Sequence, residues 1–404
     1  MKVNILDKID KKTAEAIREC IEIARLYNFK IYLVGGIVRD ILLKKPLKDV
    51  DITVEGNAKS FTEAIASNFK LKAIKYNDNL PTAKVVFKNG VEIDFASTRK
   101  ELYEHPGELP KIVQTGCPLK EDVLRRDFTV NAIAISLNSE NLFEIIDFLG
   151  GVEDLKNKKL RILHEKSFTD DPSRIIRGMK FAERLHFDFE EKTFNLIKNY
   201  IDNPLVNIPF ERIKKEIKEL FSLNKNSAFN NFIKMDLYKI FVPKIITGLK
   251  SETIRSALFD FNINDDDIWL LYFLPLFILC DVPKKLNFTA SEYKIIKEIR
   301  EFYSKETVFE DKYSLFEYFK NKEYLSVVFF GIFNNINTAK TFLKIQNTKI
   351  KTTGQDLKNL GITPGKIFSE IQKAVLKEKL NNGLKDKNAE IDFIKRTISP
   401  NIIL

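Results

Sequence analysis

The sequence predicts an α+β protein in which an N-terminal α/β head with a mixed sheet is followed by an all-helical remainder. Short apolar or alternating runs that are typical of strands lie at 31–34, 50–54, 84–88 and 91–96. From about residue 150 onward, almost every segment has the 3.6-residue periodicity of amphipathic helices. At 404 residues the chain is long enough for two to three domains, and we expect them at 1–148, 149–224 and 225–404.

The elements of the head follow from local signals. Helical periodicity is expected at 9–28, before the first strand run, and at 58–68, between two strand runs. Asn89-Gly90 stands between two alternating runs, which predicts a β-hairpin. Residues 97–122 show little periodicity and contain Pro106-Gly107, so we expect a long, mobile loop. The helices predicted beyond the head lie at 172–185, 190–201, 209–223, 226–240, 265–281, 289–306, 313–321 and 364–380.

The composition limits the classes of function. The net charge is +10 and the pI is about 9.1, which favours a polyanionic partner. A genome rich in lysine codons would give the same charge, so the charge alone does not decide the matter. The three cysteines and three histidines are scattered, which disfavours disulfides and zinc sites and fits a reducing cytosol. No apolar run approaches the ~18 residues of a membrane span.

Residues 33–54, LVGGIVRDILLKKPLKDVDITV, carry the strongest chemical signal. Gly35-Gly36 follows an apolar run, and glycines allow backbone N–H groups to approach a phosphate closely. Asp49 and Asp51 stand two apart in an alternating run, so on a strand both carboxylates point to one face. Such a pair is costly unless a cation lies there. Together these features predict the chemistry of phosphoryl or nucleotidyl transfer.

Two further carboxylates have open roles. Asp94 lies on the strand expected beside the Asp49/Asp51 run, where it completes the metal site or forms an ordinary edge salt bridge. Asp127 belongs to LRRDFTVNAIAI, residues 124–135, in which two arginines precede an apolar, helix-like run. Asp127 is expected to cap that helix, to accept a bond from a ribose hydroxyl, or both, with Arg126 on the triphosphate or ribose.

A third cluster is DDPSRIIRGMKFAERLHF, residues 170–187. Pro172 fits the first turn of a helix, with an aspartate before it at the N-cap. Arg174, Arg177 and Lys180 follow Asp171 at steps of three, so we expect them to track one side of that helix with some drift. A solvated basic face is the simplest interpretation.

The alternative interpretation assigns that cluster to base recognition. An aspartate held beside an arginine presents an acceptor next to donors, as in the pair Asp171/Arg174. Cytosine and adenine present an amino donor beside a ring-nitrogen acceptor, whereas uracil and guanine present the reverse. Buried polar groups left unpaired can reject a wrong ligand by ~10⁴ or more.

These motifs resemble the class II CCA-adding enzymes (tRNA nucleotidyltransferases) and bacterial poly(A) polymerases of the DNA polymerase β superfamily. The matching segments are LVGGIVRD…DVDITV, LRRDFTVNAIAI, FLGGVEDL, DDPSRIIRGMKFA and PFERIKKEIKELF at 209–221. The resemblance covers about residues 30–221, with a weaker echo at 353–371. It implies a polymerase-β-like head followed by helical neck, body and tail, with Gly150 and Gly151 in a flexible joint.

The resemblance also implies roles for individual residues. Asp49 and Asp51 would hold the catalytic Mg²⁺, with Asp94 as a further possible ligand. The nucleotide-binding residues would be Gly36, Arg39, Arg126, Asp127, Asp171, Arg174, Arg177 and Lys180. The first pair would contact the triphosphate, the second would hold phosphate and ribose, and Asp171 with Arg174 would select C and A.

The implied reaction is addition of CCA to the 3′ end of tRNA from CTP and ATP, with release of pyrophosphate. The helical half would bind the acceptor arm, and neither a membrane nor a protein partner is implied, which fits a cytoplasmic protein. Many relatives have Glu-Asp where Asp170-Asp171 stands and arginine where Lys180 stands, which leaves the product open. Because residues 97–122 are of full length, complete CCA addition is preferred over A-only addition, CC-only addition or poly(A) synthesis. A catalytically inactive tRNA-binding module is disfavoured by the intact carboxylates.

Overall fold

The computed structural model describes residues 1–47, 49–77, 80–203, 210–223, 226–246, 251–305 and 307–397. The β-strands are β1 Lys30–Val34, β2 Asp51–Glu55, β3 Leu71–Tyr76, β4 Thr82–Phe87, β5 Glu92–Ser97, β6 Arg99–Leu102, β7 Lys111–Thr115, β8 Ala134–Ser136, β9 Ile145–Ile146, β10 Lys159–Leu160 and β11 Asp188–Phe189.

The α-helices run through the whole described chain. They are α1 Lys11–Leu26, α2 Gly36–Leu42, α3 Ala58–Asn68, α4 Leu119–Leu124, α5 Gly151–Lys156, α6 Ser167–Asp170, α7 Ser173–Leu185, α8 Glu191–Asp202, α9 Phe210–Phe221, α10 Asn226–Lys234, α11 Ser251–Asp260, α12 Ile268–Phe273, α13 Ala290–Ser304, α14 Lys312–Phe319, α15 Tyr324–Phe333, α16 Ile336–Ile345, α17 Gly354–Asn359, α18 Lys366–Asn382 and α19 Lys387–Thr397. No helix of the described residues combines the length and apolar character needed to cross a membrane.

The predicted α+β class with a mixed-sheet head is confirmed. Seven strands form one sheet in the order β3-β4-β5-β2-β1-β8-β9. The pair β2 and β5 is parallel, and the other neighbours are antiparallel. The mixed sheet places the start of β2 beside the end of β1, where the glycine pair begins α2.

The predicted hairpin at Asn89-Gly90 is also confirmed. Gly90 has a positive φ of 89°, which glycine adopts without steric cost. The Phe87 N–H donates to the Val91 carbonyl at 2.8 Å, which closes the turn between β4 and β5. The predicted helix at 58–68 coincides with α3, whose N-cap Asn57 accepts from the backbone N–H groups of Lys59 and Ser60.

Three stretches differ from the prediction. Residues 97–122 form a second hairpin, β6–β7, followed by α4, rather than a long loop. The apolar run at 128–136 is a 3₁₀ turn and the strand β8, not a helix. The helix predicted at 265–281 is broken into short segments, since Pro275 interrupts it.

The chain divides into two compact units. The first contains Met1–Leu223 with Asn231–Ile240, and the second contains Asn224–Asn230 with Phe241–Leu404. Both sides of the boundary predicted between residues 148 and 149 lie in the first unit, so the finer division into head and neck stays a prediction. In the motif at 209–221, Pro209 lies outside the described residues, and the rest forms α9.

The second unit is held together by aromatic contacts, as its phenylalanine content predicts. Phe273, Phe277 and Phe288 pack edge to face with ring centroids 5.2 to 5.9 Å apart. Near its end, the fully buried carboxylate of Glu390 accepts from Lys379 Nζ at 2.5 Å and from the Thr352 N–H at 2.8 Å. A buried charge with this many donors fixes α18 and α19 to the segment before α17.

Gly151 is closely packed rather than loosely connected. It is the first residue of α5, and its N–H donates to Asp147 Oδ1 at 2.9 Å. A Cβ at this position would lie 2.2 Å from the Thr129 carbonyl oxygen and 2.8 Å from the Ile133 side chain. Glycine is therefore required at position 151, because α5 closely approaches Thr129 and Ile133 in the segment before β8. This holds whether or not Gly150 makes the chain flexible.

Replacing Gly151 with alanine is expected to lower the free energy of unfolding by about 1–3 kcal/mol, the cost of overpacking. Gly354 offers a matched control, because it is also the first residue of a helix but has only ordinary contacts with Phe368 at 3.6 Å. There, alanine is expected to be neutral or stabilising. Urea denaturation measures both variants, and equal stabilities for the two would contradict the close packing of Gly151.

Candidate active site

A cleft of about 1110 Å³ lies within the first unit. It is bounded by the β1–α2 turn, the start of β2, the β6–β7 hairpin, the segment after α4, and the helices α7 and α9. Eight arginines line it, against five acidic residues. The arginines are Arg39, Arg99, Arg125, Arg126, Arg174, Arg177, Arg184 and Arg212. The excess of guanidinium groups makes the cleft suited to a polyanion.

The glycine pair forms the turn from β1 into α2. Gly35 has φ 89° and ψ −131°, a conformation that favours glycine. A Cβ at Gly35 would lie 2.8 Å from Arg126 Nη1, and one at Gly36 would lie 3.5 Å from Arg39 Nη2. The absence of a side chain at Gly35 thus leaves room for the Arg126 guanidinium, while Gly36 leaves Arg39 at an ordinary contact distance; both arginines line the same cleft.

Asp49 and Asp51 stand side by side at the entry to β2. Both are exposed, while Val50 and Ile52 are buried, as the alternation predicts. Neither carboxylate forms an ion pair or hydrogen bond with another described residue. Desolvation raises the pKa of Asp51, and the charges of Asp94 and Asp49 raise it further, against the opposing charges of Arg126 and Lys84. A cation bound here would relieve this repulsion.

Asp94 is paired differently. It lies in register with Asp51 across the parallel strands β2 and β5, but its Oδ2 is 3.1 Å from Lys84 Nζ. Of the two alternatives expected for Asp94, the structure shows the salt bridge. Within the described ranges, no three His, Cys, Asp or Glu side chains form a metal-binding group. A divalent ion here would have two protein carboxylates and would take further oxygens from a ligand.

Asp122, which the sequence interpretation overlooked, holds two of the arginines. Its buried carboxylate accepts from Arg125 Nη2 at 2.7 Å, from Arg126 Nη2 at 2.9 Å and from the Arg99 N–H at 3.1 Å. Burial alone would raise the pKa of Asp122, but the charges of Arg126 and Arg125 outweigh it and hold the pKa below its usual value. The i, i+3, i+4 spacing of these residues is the sequence signal that could have revealed the cluster.

Asp127 links the glycine turn to α7. Its Oδ1 accepts from Asn131 Nδ2 at 2.9 Å, and its Oδ2 lies 2.9 Å from Arg177 Nε. Asn131 in turn accepts from Arg39 Nη1 at 2.6 Å. Burial opposes ionisation of Asp127, but the charge of Arg177 and these hydrogen bonds lower its pKa. Asp127 also accepts from the Phe128 N–H, but it caps no α-helix because none follows.

Asp171 and Arg174 lie together, buried at the start of α7, with Arg174 Nε 3.8 Å from Asp171 Oδ2. Asp171 Oδ1 accepts from the Ser173 N–H at 3.1 Å and from its hydroxyl at 2.5 Å, as expected of an aspartate before the helix. Its Oδ2 is paired with Arg212 of α9. Arg212 was not identified from the sequence, because nothing in the α9 pattern distinguishes it from a solvated cation.

The donors of Arg174 are directed into the protein. Arg174 Nη1 donates to Ser167 Oγ at 2.7 Å, and Nη2 donates to the Arg125 carbonyl at 2.9 Å. The guanidinium also lies over the ring of Tyr103, 5.9 Å from its centroid. Tyr103 follows β6, so the hairpin that was expected to be a loop forms one wall around the predicted base-reading pair. Glu101 of β6 completes this wall by pairing with Arg99 and Arg125.

Lys180 differs from the expectation. Its ammonium is buried and paired with Glu216, at 2.5 Å, and Glu219 of α9, and it does not line the cleft. Each step of three residues turns a helix by about 300°, which falls short of a full turn. Over the nine residues from Asp171 to Lys180, these shortfalls add up to about half a turn. The drift along the set places Lys180 on a different side of α7 from Arg174. The other predicted nucleotide residues and the two aspartates all line the cleft.

Comparison with known proteins gives consistent results. Residues 31–161 match the family model of the poly(A) polymerase head domain. The CCA-adding enzyme of Ligilactobacillus salivarius is 30% identical over 422 residues, covering 99% of both chains. The A-adding tRNA nucleotidyltransferase of Geobacter sulfurreducens is 28% identical over 426 residues, covering 96% of this chain but 47% of that protein. The chain thus spans about half the length of that relative.

Solved structures match over nearly the whole chain. The Thermotoga maritima CCA-adding enzyme complexed with tRNA_CCA has a TM-score of 0.74 at 26% identity and covers 99% of both chains. A CCA-adding enzyme in complex with ATP has a TM-score of 0.79 at 27% identity, again over 99% of both chains. One in complex with CTP has a TM-score of 0.78 at 26% identity over 98% of both.

Asp122→Asn is expected to destabilise the protein by about 3 kcal/mol at neutral pH, because it leaves Arg126 without its buried counter-charge and Arg125 with Glu101 alone. The folded-state pKa of Asp122 is lowered, so its contribution is present above the unfolded value, about 3.9, and is lost as pH falls through the folded value. The variant should therefore lose less stability than the wild type on acidification below about pH 4.

Glu121→Gln is the matched control, because it removes the same charge from a half-exposed position on α4 that pairs with Lys100. Its effect is expected to stay within about 0.5 kcal/mol. Urea denaturation from pH 3 to pH 7 measures both. Parallel stability curves for Asp122→Asn and the wild type would show that the carboxylate is not the counter-charge described above.

Proposed function

The chain belongs to the CCA-adding enzyme family, and on that basis we propose that it is a template-independent nucleotidyltransferase that extends the 3′ end of tRNA from CTP and ATP. The observation that carries this proposal is the unpaired Asp49/Asp51 couple beside a glycine turn in an arginine-lined cleft. The tRNA 3′ hydroxyl would attack the α-phosphorus in line, with pyrophosphate as the leaving group.

Asp49 and Asp51 would hold Mg²⁺. The fit rests on the donor set, since two exposed carboxylates without a described partner are oxygen ligands that suit a hard cation, and Mg²⁺ usually adds substrate phosphates to one or two carboxylates. When bound, Mg²⁺ supplies a lowered pKa for the attacking hydroxyl and charge stabilisation for the leaving oxygens. The described lining residues of the cleft include no histidine, and the proposed reaction needs no histidine base because a bound metal ion would lower the pKa of the hydroxyl.

The arginines would bind and orient the triphosphate. Arg126 lies against Gly35, and Arg39 lies against Gly36, so both guanidinium groups adjoin the turn where a phosphate can approach the backbone. Asp122 and Asp40 fix these two side chains, which lowers the reorganisation needed on binding. Positive groups that are already held beside the glycine turn would stabilise the negative charge that develops on the pyrophosphate.

Asp171 and Arg174 would select the base. Asp171 would present a carboxylate oxygen to the exocyclic amine of cytosine or adenine, and Arg174 would present to the ring nitrogen an N–H left over after its bonds to Ser167 and the Arg125 carbonyl. Arg212 shares that oxygen in the ligand-free structure, so a bound base would compete with Arg212 for it. Uracil and guanine would place a carbonyl against Asp171, and the unpaired buried groups would reject them.

We infer complete CCA addition as the product, with A-only addition as the second candidate. The CCA-adding enzyme of Ligilactobacillus salivarius matches over 99% of both chains, whereas three A-adding tRNA nucleotidyltransferases are matched over 23% to 50% of their length. The β6–β7 hairpin, which occupies the predicted loop, is of full length and forms a wall of the cleft. Shared head-domain similarity accounts for the likeness to poly(A) polymerases.

Stepwise extension tests the product. The purified protein would be given tRNA ending at the discriminator base, at C or at CC, with CTP, ATP or both. Complete addition predicts extension of all three substrates and a stop after the terminal A. Extension of the CC-ended substrate alone would assign A-only activity, and long A tails on unrelated RNA would assign a poly(A) polymerase.

Asp49→Ala is expected to reduce incorporation by roughly 10³-fold or more, since it removes half of the metal couple, while tRNA affinity changes little. Single-turnover extension and a filter-binding assay measure the two quantities separately. Asp94→Asn is the comparison variant, because the Lys84 salt bridge predicts that its incorporation rate remains near that of the wild type. Normal incorporation by Asp49→Ala would remove the metal assignment.

A further inference from the structure

Arg184 is an arginine of the cleft whose charge has no partner among the described residues. Arg39, Arg126, Arg177 and Arg212 each pair with an aspartate, and the others described above are bound to acidic or carbonyl oxygens. Arg184 has no ion pair or hydrogen bond with any residue in the described ranges. Its guanidinium instead packs against the ring of Phe181, 5.4 Å from the centroid. A cation on the cleft wall that forms no ion pair with a described residue is suited to an anionic ligand.

The position of Arg184 on α7 places it away from the base-reading pair. It follows Arg177 by seven residues, about two helical turns, so it lies on the same side of the helix. It follows Arg174 by ten residues, a rise of about 15 Å. If the base binds at Asp171 and Arg174, Arg184 lies on the part of α7 that adjoins the opposite end of an extended nucleotide.

The neighbours of Arg184 identify that end as the glycine turn. Arg39, whose Nη2 adjoins Gly36, also lies against the Phe181 ring, 5.2 Å from the centroid. Burial lowers the pKa of Arg184, and the charge of Arg39 lowers it further, while Asp40 and Glu219 oppose the shift. The guanidinium groups of Arg39, Arg177 and Arg184 thus share the Phe181 ring with the Lys180 ammonium, and an anion between Arg39 and Arg184 would offset their repulsion.

Lys180 shows by contrast which cation of α7 is available. The resemblance assigned Lys180 to the nucleotide, but Glu216 and Glu219 of α9 engage its ammonium outside the cleft. Arg184 lies one turn further along the helix, is exposed, and lines the cleft. Arginine also offers the planar, forked donors that match phosphate oxygens.

We propose that Arg184 binds the β- and γ-phosphates of the incoming nucleotide. The inference rests on the proposed function and adds to it the residue that recognises the pyrophosphate portion shared by CTP and ATP. Its contribution is independent of the base and remains when the ligand is pyrophosphate alone.

Equilibrium binding with the full-length protein tests the proposal. Isothermal titration with Mg²⁺ present would compare CTP, ATP, pyrophosphate and CMP for the wild type, Arg184→Gln and Arg184→Lys. Arg184→Gln is expected to weaken CTP, ATP and pyrophosphate by about tenfold, the loss of one charge-assisted hydrogen bond, and to leave CMP unchanged. Arg184→Lys keeps the charge and should recover part of the lost affinity.

Each contrary outcome has a distinct meaning. If Arg184→Gln binds pyrophosphate with the affinity of the wild type, the proposal is overturned. An equal loss of affinity for CMP also overturns it, because such a loss would indicate a general disturbance of the cleft. A loss confined to tRNA affinity would assign Arg184 to an RNA phosphate instead and also overturns it. If the wild type incorporates no nucleotide but binds pyrophosphate in a way that depends on Arg184, the proposed function is contradicted and this inference is supported.

Discussion

The crowding of arginine charge in one cleft is the constraint on which the site depends. Eight guanidinium groups cannot share about 1110 Å³ unless most of them are neutralised. Asp122, Asp127 and Asp171 do this from buried positions, each with two or more donors. Because a buried carboxylate is tolerated only when its lone pairs are filled, these pairings also fix where each arginine can point.

The same network divides the cleft into fixed and available groups. Arg39, Asn131, Asp127 and Arg177 form a continuous chain from the glycine turn to α7. Such a chain pre-organises the wall, so little rearrangement is needed at the moment of reaction. Among the described lining residues, the Asp49/Asp51 couple and Arg184 form no ion pair, and in the proposed function they bind a cation and an anion.

Local patterns in the sequence predicted the fold class and most of the site, because they depend on near neighbours. The alternation around Asp49 and Asp51 reappears as exposed carboxylates between the buried Val50 and Ile52. The same reasoning failed for β8, since a strand buried on both faces has the same unbroken apolar run as a buried helix. It also failed for β6, whose polar sequence RKEL shows no alternation and is held by the ion pairs of Arg99 and Glu101.

The Arg125 carbonyl that binds Arg174 and the two glutamates of α9 that bind Lys180 could not be predicted, because they come from elements distant in sequence. One contact of this kind limits how the protein can change over evolution. A side chain at Gly35 would meet Arg126, and moving Arg126 would break its bond to Asp122. Positions 35, 122 and 126 are therefore expected to change together, since a chain that lost the glycine would have to rebuild its anchored arginine.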